Sequence, residues 1–499
     1  MTNCSRASRS SRRDFLQGLA GAIGCGGAAA LIPQFGLVGS ALAAQKGTVT
    51  GYRALVCVYL DGGNDAFNML VPYDQTPYDA YAAARGGVYN ATTNAAGLAL
   101  DRSLLATTQI VDSATTAQYA LHPGIPGGAS TADERGMLDL RTLYQQNRVA
   151  FIPNIGTLTR PITKTEYNNN APGTRPPQLY SHSDQQYQWH FGRAGTSNVG
   201  WGGTVGDAVR NQNFNQTLSP CISIAGDNRF EIGMQTFPYQ LGSGGLNALN
   251  VGGAPAAGNA AMARRTAIDA ILAGSNTSPF ATEYQAVMNR AQGVYNILNP
   301  ALNSPEGMVT TFFPNETLAN QLKMVARMIK VSRDTAFQLQ HQRQIYFVRL
   351  GGFDLHDGLM AAGANGHAGL LQRVSAALSL FYTALGEFGA QNEVTTFTMS
   401  EFARTLSSNG NGSDHAWGSV AMVMGGTQVL GGRLYGAYPE LVLNGANSFT
   451  SGQQIPQIGV EQYAATLARW MGVTSPSTLA TIFPNLGQFG SSNLGFMAP

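Results

Sequence analysis

The sequence predicts an α/β fold: a mixed, mostly parallel sheet with helices on both faces and with loop insertions. Two observations lead to this prediction. Short, mostly apolar runs at residues 53–60, 149–155 and 345–350 have the length and β-branched content of fully buried strands. Helical patterns alternate with these runs, which is typical of right-handed crossovers between parallel strands.

Each predicted element follows from a local pattern. Strands are predicted at residues 53–60, 149–155, 345–350, 394–399 and 420–424. Helices are predicted at residues 137–146, 260–298 with interruptions, 318–342, 367–385 and 461–471, where apolar side chains recur at helical spacing. Another helix is predicted to begin at Ser181 or Ser183 and to continue through His190. We expect the strand ends near residues 61, 155, 351, 400 and 425 to lie along one edge of the sheet.

Acidic and histidine residues follow three of these strands directly, and another pair lies in a Gly/Asn-rich loop before the last strand. In sheets of this kind ligands bind at the carboxyl ends of the strands, so these residues are expected to converge. The candidate metal ligands are, in chain order, Asp61, Asp354, His356, Glu401, Asp414 and His415.

Oxygen and nitrogen donors of this kind suit one or two divalent ions, either zinc, manganese, magnesium or calcium, rather than copper or an iron–sulfur cluster. Mixed Asp/His sets from separate strand ends are also how two-metal hydrolases hold ions about 3.5–4 Å apart. The HExxH, P-loop and G-x-S-x-G motifs are absent from the sequence. Zinc proteases, P-loop NTPases and serine esterases with those motifs are therefore not expected.

A serine-rich segment, Ser181-His182-Ser183, follows two prolines at the start of a predicted helix. A serine here is either a helix cap or a nucleophile in the positive field of the helix terminus, and capping is the commoner role. His182 is either a ligand or an ordinary hydrogen-bonded histidine.

The first 43 residues have the pattern of an export signal. A twin-arginine pair, Arg12-Arg13, precedes an apolar Gly/Ala-rich run that ends in Ala41-Leu42-Ala43. This pattern predicts recognition by the twin-arginine translocase, cleavage after the signal, and a periplasmic or secreted protein. Residues 44–499 are then expected to form a single domain, with insertions near residues 74–135 and 192–260.

The remaining composition excludes several classes of partner. The chain has a formal net charge of +2, but the predicted signal holds the basic excess, so nucleic-acid binding is not expected. No later segment is apolar enough to predict a membrane span after signal cleavage. Cys57 and Cys221 lie in apolar runs and are expected to be free buried thiols, although the sequence also permits one disulfide between them.

Five stretches carry a resemblance to a known family. They are Leu60-Asp61-Gly62-Gly63-Asn64-Asp65, Tyr180-Ser181-His182, Gly351-Gly352-Phe353-Asp354-Leu355-His356, Met399-Ser400-Glu401-Phe402-Ala403-Arg404-Thr405 and Gly412-Ser413-Asp414-His415-Ala416-Trp417-Gly418. In these stretches the chain resembles the twin-arginine-exported DUF1501 family, which belongs to the alkaline phosphatase and sulfatase superfamily. The resemblance implies an alkaline phosphatase-like fold.

The resemblance also implies roles for individual residues. Asp61 matches the ligand of one metal, and Ser181 fits the nucleophile best, with Ser183 in reserve. The second-metal ligands resemble Asp354 and His356, with His367 as another candidate, and the last histidine of the pattern resembles His415. Where the superfamily has an Asp-His pair, this chain has Glu401-Phe402. That departure implies a single metal, a weaker second one, or replacement by Asp414 or His182.

Three functions follow as hypotheses. The first is an exported metal-dependent hydrolase of phosphate or sulfate esters that acts on a small anionic ester, with Arg404 either neutralising the substrate or forming a structural salt bridge. The alternative is a metal-stabilised, non-catalytic envelope scaffold or binding protein with a degenerate site. A phosphotransferase or mutase is a weaker third hypothesis, since it needs an acceptor site that the sequence does not reveal.

Overall fold

A computed structural model describes residues 51–124, 135–246, 259–337 and 339–499. The predicted signal peptide lies outside these residues. The strands are β1 (Arg53–Asp61), β2 (Leu70–Pro72), β3 (Gln109–Val111), β4 (Gln118–Leu121), β5 (Val149–Gly156), β6 (Cys221–Ser223), β7 (Tyr239–Gln240), β8 (Arg343–Gly351), β9 (Val394–Met399), β10 (Ser419–Met424), β11 (Arg433–Leu434) and β12 (Ile458–Gly459).

The α-helices are α1 (Ala66–Met69), α2 (Gln75–Ala84), α3 (Arg102–Leu105), α4 (Leu138–Gln145), α5 (Lys164–Asn168), α6 (His182–Phe191), α7 (Trp201–Val209), α8 (Asn259–Ala273), α9 (Pro279–Asn303), α10 (Thr317–Arg333), α11 (His367–Gly386), α12 (Val460–Met471) and α13 (Pro476–Ile482). Short 3-10 turns lie at Ala106–Thr108, Arg210–Gln212, Pro305–Gly307 and Leu486–Gln488.

The main sheet is mixed and mostly parallel, as the sequence predicted. Its strands lie in the order β11-β5-β10-β9-β1-β8-β6-β7, and β12 also pairs with β5. The central strand β1 is parallel to both neighbours, and its register with β8 sets Asp61 beside Gly351. Strand β10 is antiparallel to β5 and to β9. A small second sheet, β2-β4-β3, lies within the region predicted as an insertion at residues 74–135 and just before it.

Helices cover both faces of the main sheet because successive side chains of a strand point to opposite faces. In β1, Val56 and Val58 face one apolar core that includes residues of α4, α10 and α11. Cys57 and Tyr59 face a second core that includes residues of α7 and α12. The predicted α/β class, with helices on both faces, is therefore confirmed.

The carboxyl ends of β1, β5, β8 and β9 meet at one edge of the sheet, as predicted for residues near 61, 155, 351 and 400. The prediction for residue 425 was wrong. Strand β10 begins at this edge and runs antiparallel, so Met424 pairs with Val149 and Thr396 at the opposite edge. The loop before β10 therefore stays at the same edge as the other strand ends.

Three further predictions can be compared with the structure. Helix α10 ends at Arg333, not near residue 342, because Asp334 accepts a hydrogen bond from the backbone of Ala336 and starts the turn towards β8. Cys57 and Cys221 are free and buried, as expected. In the part of the chain described, no helix combines the length and the apolar character needed to span a membrane.

Candidate metal centre

Five chain segments meet at the carboxyl edge of the sheet. The end of β1 carries Asp61, the loops after β8 and β9 carry Asp354 and Glu401, and the start of α6 carries His182. The loop before β10 adds His415, because that strand starts at the same edge. The backbone packs closely here: a Cβ added at Gly62, which has a φ of +118°, would lie 2.4 Å from the backbone nitrogen of Asp354. Only glycine fits this position without displacing the loop after β8.

The carboxylate of Asp354 lies among three histidine side chains. Its Oδ1 is 3.2 Å from His356 Nε2 and 3.5 Å from His415 Nε2, and its Oδ2 is 3.4 Å from His182 Nε2. The two nitrogens His356 Nε2 and His415 Nε2 are themselves 2.9 Å apart. One ligand atom each from His182, Asp354 and His415 can be chosen so that all lie within 4.8 Å of one another.

The other nitrogen of each histidine contacts an acceptor. His356 Nδ1 lies 3.0 Å from Asp414 Oδ1, and His415 Nδ1 lies 2.7 Å from the backbone oxygen of Tyr180. His182 Nδ1 lies 2.8 Å from Glu401 Oε1. Because carboxylate and carbonyl oxygens only accept, each Nδ1 carries a proton. A ring that is neutral then has its lone pair on Nε2, on the side of Asp354.

Inward-facing lone pairs on adjacent nitrogens repel unless a proton or a cation lies between them. Among the described residues, His182 Nε2 is shielded from solvent and has no hydrogen-bond donor. Imidazole nitrogens and carboxylates are donors that zinc and related divalent ions prefer. His182, Asp354 and His415 therefore fit one divalent ion as its ligands. His356 lies beside this group, and its Nε2 is 3.4 Å from Arg404 Nη1, which can only donate.

Glu401 and Asp414, which the sequence suggested as ligands, hold histidines in this geometry. Glu401 is almost wholly buried, and its carboxylate also accepts hydrogen bonds from Tyr59 Oη at 3.0 Å and from the backbone of Gly62 at 2.8 Å. Metal-binding histidines in proteins are commonly oriented by such a carboxylate or carbonyl. Glu401 and Asp414 thus orient histidine side chains by accepting their Nδ1 protons and do not themselves bind the ion.

Asp61 lies at the edge of the same cluster. Its Oδ2 is 3.7 Å from Arg349 Nη1, and it is outside the group of His182, Asp354 and His415. Burial, followed by the charge of Glu401, raises the pKa of the Asp61 carboxyl. Asp61 therefore adds negative potential at the centre but does not contact the three histidines.

Arg404 is fully buried behind the centre. Its guanidinium donates to the carboxylate of Asp354 and to the backbone oxygens of Gly63 at 3.0 Å and Gly62 at 3.2 Å. Burial acts to raise the pKa of Asp354, but the hydrogen bond and charge of Arg404 outweigh it and lower that pKa. Of the two roles predicted for Arg404, the geometry favours the structural salt bridge over contact with a substrate.

The histidine pKa values shift according to their surroundings. The hydrogen bond that His182 donates to Glu401 raises the pKa of His182. Burial lowers the pKa of His415, even though its bond to the Tyr180 carbonyl acts in the opposite direction. Of these two histidines, His182 is therefore the one that keeps its second proton to higher pH.

Ser181 occupies the N-cap position of α6, but its side chain does not cap the helix. Its hydroxyl instead donates to Asp184 Oδ2 at 2.6 Å and lies 3.5 Å from the hydroxyl of Ser183. A capping serine accepts a backbone N–H, so this arrangement departs from the usual one. His367, the other candidate ligand of the second metal, is buried against Asn64, and its Nε2 lies 2.9 Å from Asn64 Oδ1.

Two contributors were missed by sequence reasoning. Tyr180 supplies the carbonyl that orients His415, and it adopts a left-handed backbone with a φ of +74°. A large side chain rarely takes that conformation, and such outliers cluster at functional sites. Asp184 is the other, and its position three residues after Ser181 was a readable signal for a contact across the first helical turn.

The chain matches one family model. Residues 256–464 match the family described as "Protein of unknown function (DUF1501)", so the predicted resemblance is confirmed for that part of the chain. The matched range includes the loops after β8 and β9 and the loop before β10. It does not include β1 or α6. The centre therefore draws its remaining residues, Asp61 and His182, from outside the matched range.

Comparison with individual proteins adds little. No curated protein matches the chain. A solved structure described as "Crystal structure of Ps i-CgsB in complex with k-i-k-neocarrahexaose" is 10% identical, covers 89% of this chain and 78% of its own, and has a TM-score of 0.34. A second, "Crystal structure of Ps i-CgsB", has the same identity and coverage and a TM-score of 0.33.

Proposed function

We propose that the protein is an exported metal-dependent hydrolase of phosphate or sulfate esters and a member of the alkaline phosphatase and sulfatase superfamily. One observation carries the proposal: three histidine Nε2 atoms, each with its Nδ1 already committed, face the Asp354 carboxylate. Of these groups, His182, His415 and Asp354 fit a divalent ion, and a serine lies directly beside His182 in sequence. A metal next to a hydroxyl nucleophile is the arrangement that ester hydrolysis through a covalent intermediate requires.

Ser181 is the nucleophile of this proposal. Its hydroxyl donates to Asp184 Oδ2 at 2.6 Å, so the carboxylate can take the proton as the oxygen attacks phosphorus or sulfur and the bond to the ester's alcohol oxygen breaks. The departing alcohol oxygen takes up that proton, and water then displaces the serine oxygen to release phosphate or sulfate. The α6 N-terminus adds a positive field for the anionic ester. His182, His415 and Asp354 would hold a divalent ion, which would supply Lewis-acid stabilisation to the ester. Arg404 holds Asp354, and its Nη1 lies 3.4 Å from His356 Nε2.

Export by the twin-arginine translocase remains part of the proposal. It rests on the Arg12-Arg13 pair and the small-residue end of the apolar run. This route carries folded proteins, which suits a protein that binds its metal before it leaves the cytoplasm.

The test is hydrolysis of an aryl phosphate and an aryl sulfate by the metal-loaded full chain. We expect turnover that Ser181→Ala abolishes and that the matched control, Ser183→Ala, retains. Turnover that survives Ser181→Ala unchanged would refute the assigned nucleophile. Absence of turnover on both ester classes, with metal bound, would refute hydrolysis as proposed here.

That last outcome would favour the second candidate, a metal-stabilised scaffold or binding protein. The observation behind it is the use of Glu401. Both of its carboxylate oxygens already accept hydrogen bonds, from His182, Gly62 and Tyr59. The Glu401 carboxylate is therefore not free to bind a second ion. A single ion is compatible with a purely structural role. This candidate predicts that metal raises the melting temperature without any Ser181-dependent rate.

A further inference from the structure

Helix α9 carries an apolar stripe that is buried along only half of its length. The stripe consists of side chains spaced alternately four and three residues apart, which fall on one side of a helix. Its members are Phe280, Tyr284, Val287, Ala291, Val294 and Leu298. Val294 and Leu298 are buried in the core, whereas Phe280 is 89% exposed and Tyr284 is 64% exposed. The described residues leave the first turns of the stripe open.

One neighbouring side chain extends this exposed surface. Phe237, 66% exposed, borders the same 390 Å³ cavity as Glu283 and Arg290, which flank the stripe. We define the α9 patch as Phe237, Phe280, Tyr284 and Val287.

The α9 patch supplies more than half of the area that a standard interface buries. A covered aromatic side chain buries about 150–250 Å², so the four exposed side chains offer on the order of 500 Å² per protomer. A standard protein interface buries about 800 Å² per partner. Singly scattered apolar residues would not explain a contiguous surface of this size.

The charges beside the patch are self-complementary. Glu283 and Arg290 are the only charged residues between positions 279 and 293. They lie seven residues apart on the same flank of the stripe. Two helices that pack antiparallel about a two-fold axis bring the same flank of each together, so Glu283 would face the partner's Arg290, and the reverse contact forms by symmetry. The present Glu283–Arg290 contact within one chain, at 3.2 Å, would be exchanged for two contacts between chains.

The geometry points to a two-fold symmetric homodimer in which the exposed halves of α9 pack antiparallel, with the α9 patch at its centre. A second copy of the chain suits this surface better than a lipid bilayer does. Helices that lie on membranes carry an excess of Lys and Arg on the polar face, whereas this helix pairs one acid with one base. The inference does not depend on the proposed hydrolase activity.

The first test is the mass of the full chain in solution by sedimentation equilibrium. We expect a dimer at micromolar concentration and a monomer for Phe280→Glu, which places a charge at the centre of the interface. The matched control is Phe312→Glu, because Phe312 is 80% exposed but lies outside the stripe; it should remain dimeric. A monomeric wild type, or equal dissociation by both variants, would overturn the inference.

Charge exchange provides the sharper test. Glu283→Arg alone and Arg290→Glu alone each place like charges opposite one another twice, and we expect each to weaken the dimer by about tenfold or more. A one-to-one mixture of the two variants should restore association, since all facing pairs are then opposite in sign. A pair within one chain cannot explain that rescue. No rescue, or flotation of a monomeric wild type with anionic vesicles, would count against a second copy as the partner.

Discussion

Substitution of Glu401 by Gln separates two explanations of the metal centre. If Glu401 is a ligand, as the sequence alone suggested, the ion should be lost. In the structure Glu401 instead accepts the Nδ1 proton of His182 at 2.8 Å. Gln keeps the volume of the side chain and an acceptor oxygen for His182, and the Tyr59 hydroxyl can rotate to accept from the new amide. The change therefore removes the charge behind His182 with little disturbance of packing.

The expected loss of metal affinity is intermediate. Removing the partner of a metal-binding histidine commonly weakens binding by about 10–100-fold, which corresponds to about 1.4–2.7 kcal/mol. Glu401 fits that range because it is almost wholly buried and contacts one ligand. The loss of metal affinity in Asp414→Asn should be near the lower end of that range, since Asp414 is 58% exposed. Asp354→Ala and His415→Ala remove ligands and should abolish binding.

The assay is competition for zinc or manganese between the folded protein and a chelator of known affinity. Glu461→Gln is the matched control, because Glu461 is also buried but contacts Asn485, away from the centre. Its affinity should equal that of the wild type. Complete loss of metal in Glu401→Gln would make Glu401 a ligand, and an affinity within about twofold of wild type would remove its role in orienting His182.

Three further outcomes are expected. Arg404→Ala removes a fully buried side chain and leaves the buried carbonyls of Gly62 and Gly63 without their donor, so the free energy of unfolding measured in urea should fall by about 3 kcal/mol; a loss below about 1 kcal/mol would contradict a structural role. Burial raises the pKa of Glu231 to about 8, so the folded protein keeps a proton that the unfolded chain loses above its ordinary pKa. Stability should therefore fall by up to about 1.4 kcal/mol per pH unit between pH 5 and 8, and Glu231→Gln should flatten that slope; an unchanged slope would show that Glu231 does not cause it. Asp184→Asn should lower kcat about 100-fold or more at unchanged metal content, and an unchanged kcat would exclude Asp184 as the acceptor of the Ser181 proton.

The strand ends were predictable because their signals are local. An uninterrupted apolar run identifies a buried strand, and the polar residue after it marks the edge of the sheet. Asp354 and His356 follow β8 in this way, and both lie at the centre. The direction of β10 was not predictable on the same basis. It depends on pairing with β5 and β9, which are far away in sequence, and the local pattern is the same for either direction.

The division between ligands and the residues behind them was also beyond the sequence. Carboxylates and histidines both bind metals, so composition and spacing treat Glu401 and His182 alike. The structure separates them through hydrogen-bond direction. The Glu401 carboxylate accepts hydrogen bonds from His182, Tyr59 and the backbone of Gly62. Carboxylate oxygens that already accept these bonds have few lone pairs left to bind an ion. Only the folded structure shows that His182 Nδ1 is hydrogen-bonded to Glu401 and that Nε2 faces the metal centre.

The backbone at Tyr180 connects the metal centre to the proposed nucleophile. Its left-handed conformation costs on the order of 1–3 kcal/mol, and such strain persists only when the surroundings fix it. Two contacts do so here: the Tyr180 carbonyl lies 2.7 Å from His415 Nδ1, and its side chain packs against the cluster that contains Trp417. Because Ser181 is the next residue, the same contacts fix where α6 begins. An ion on His415 would make its Nδ1 proton a stronger donor to Tyr180, so occupancy of the centre and the position of the serine should be coupled.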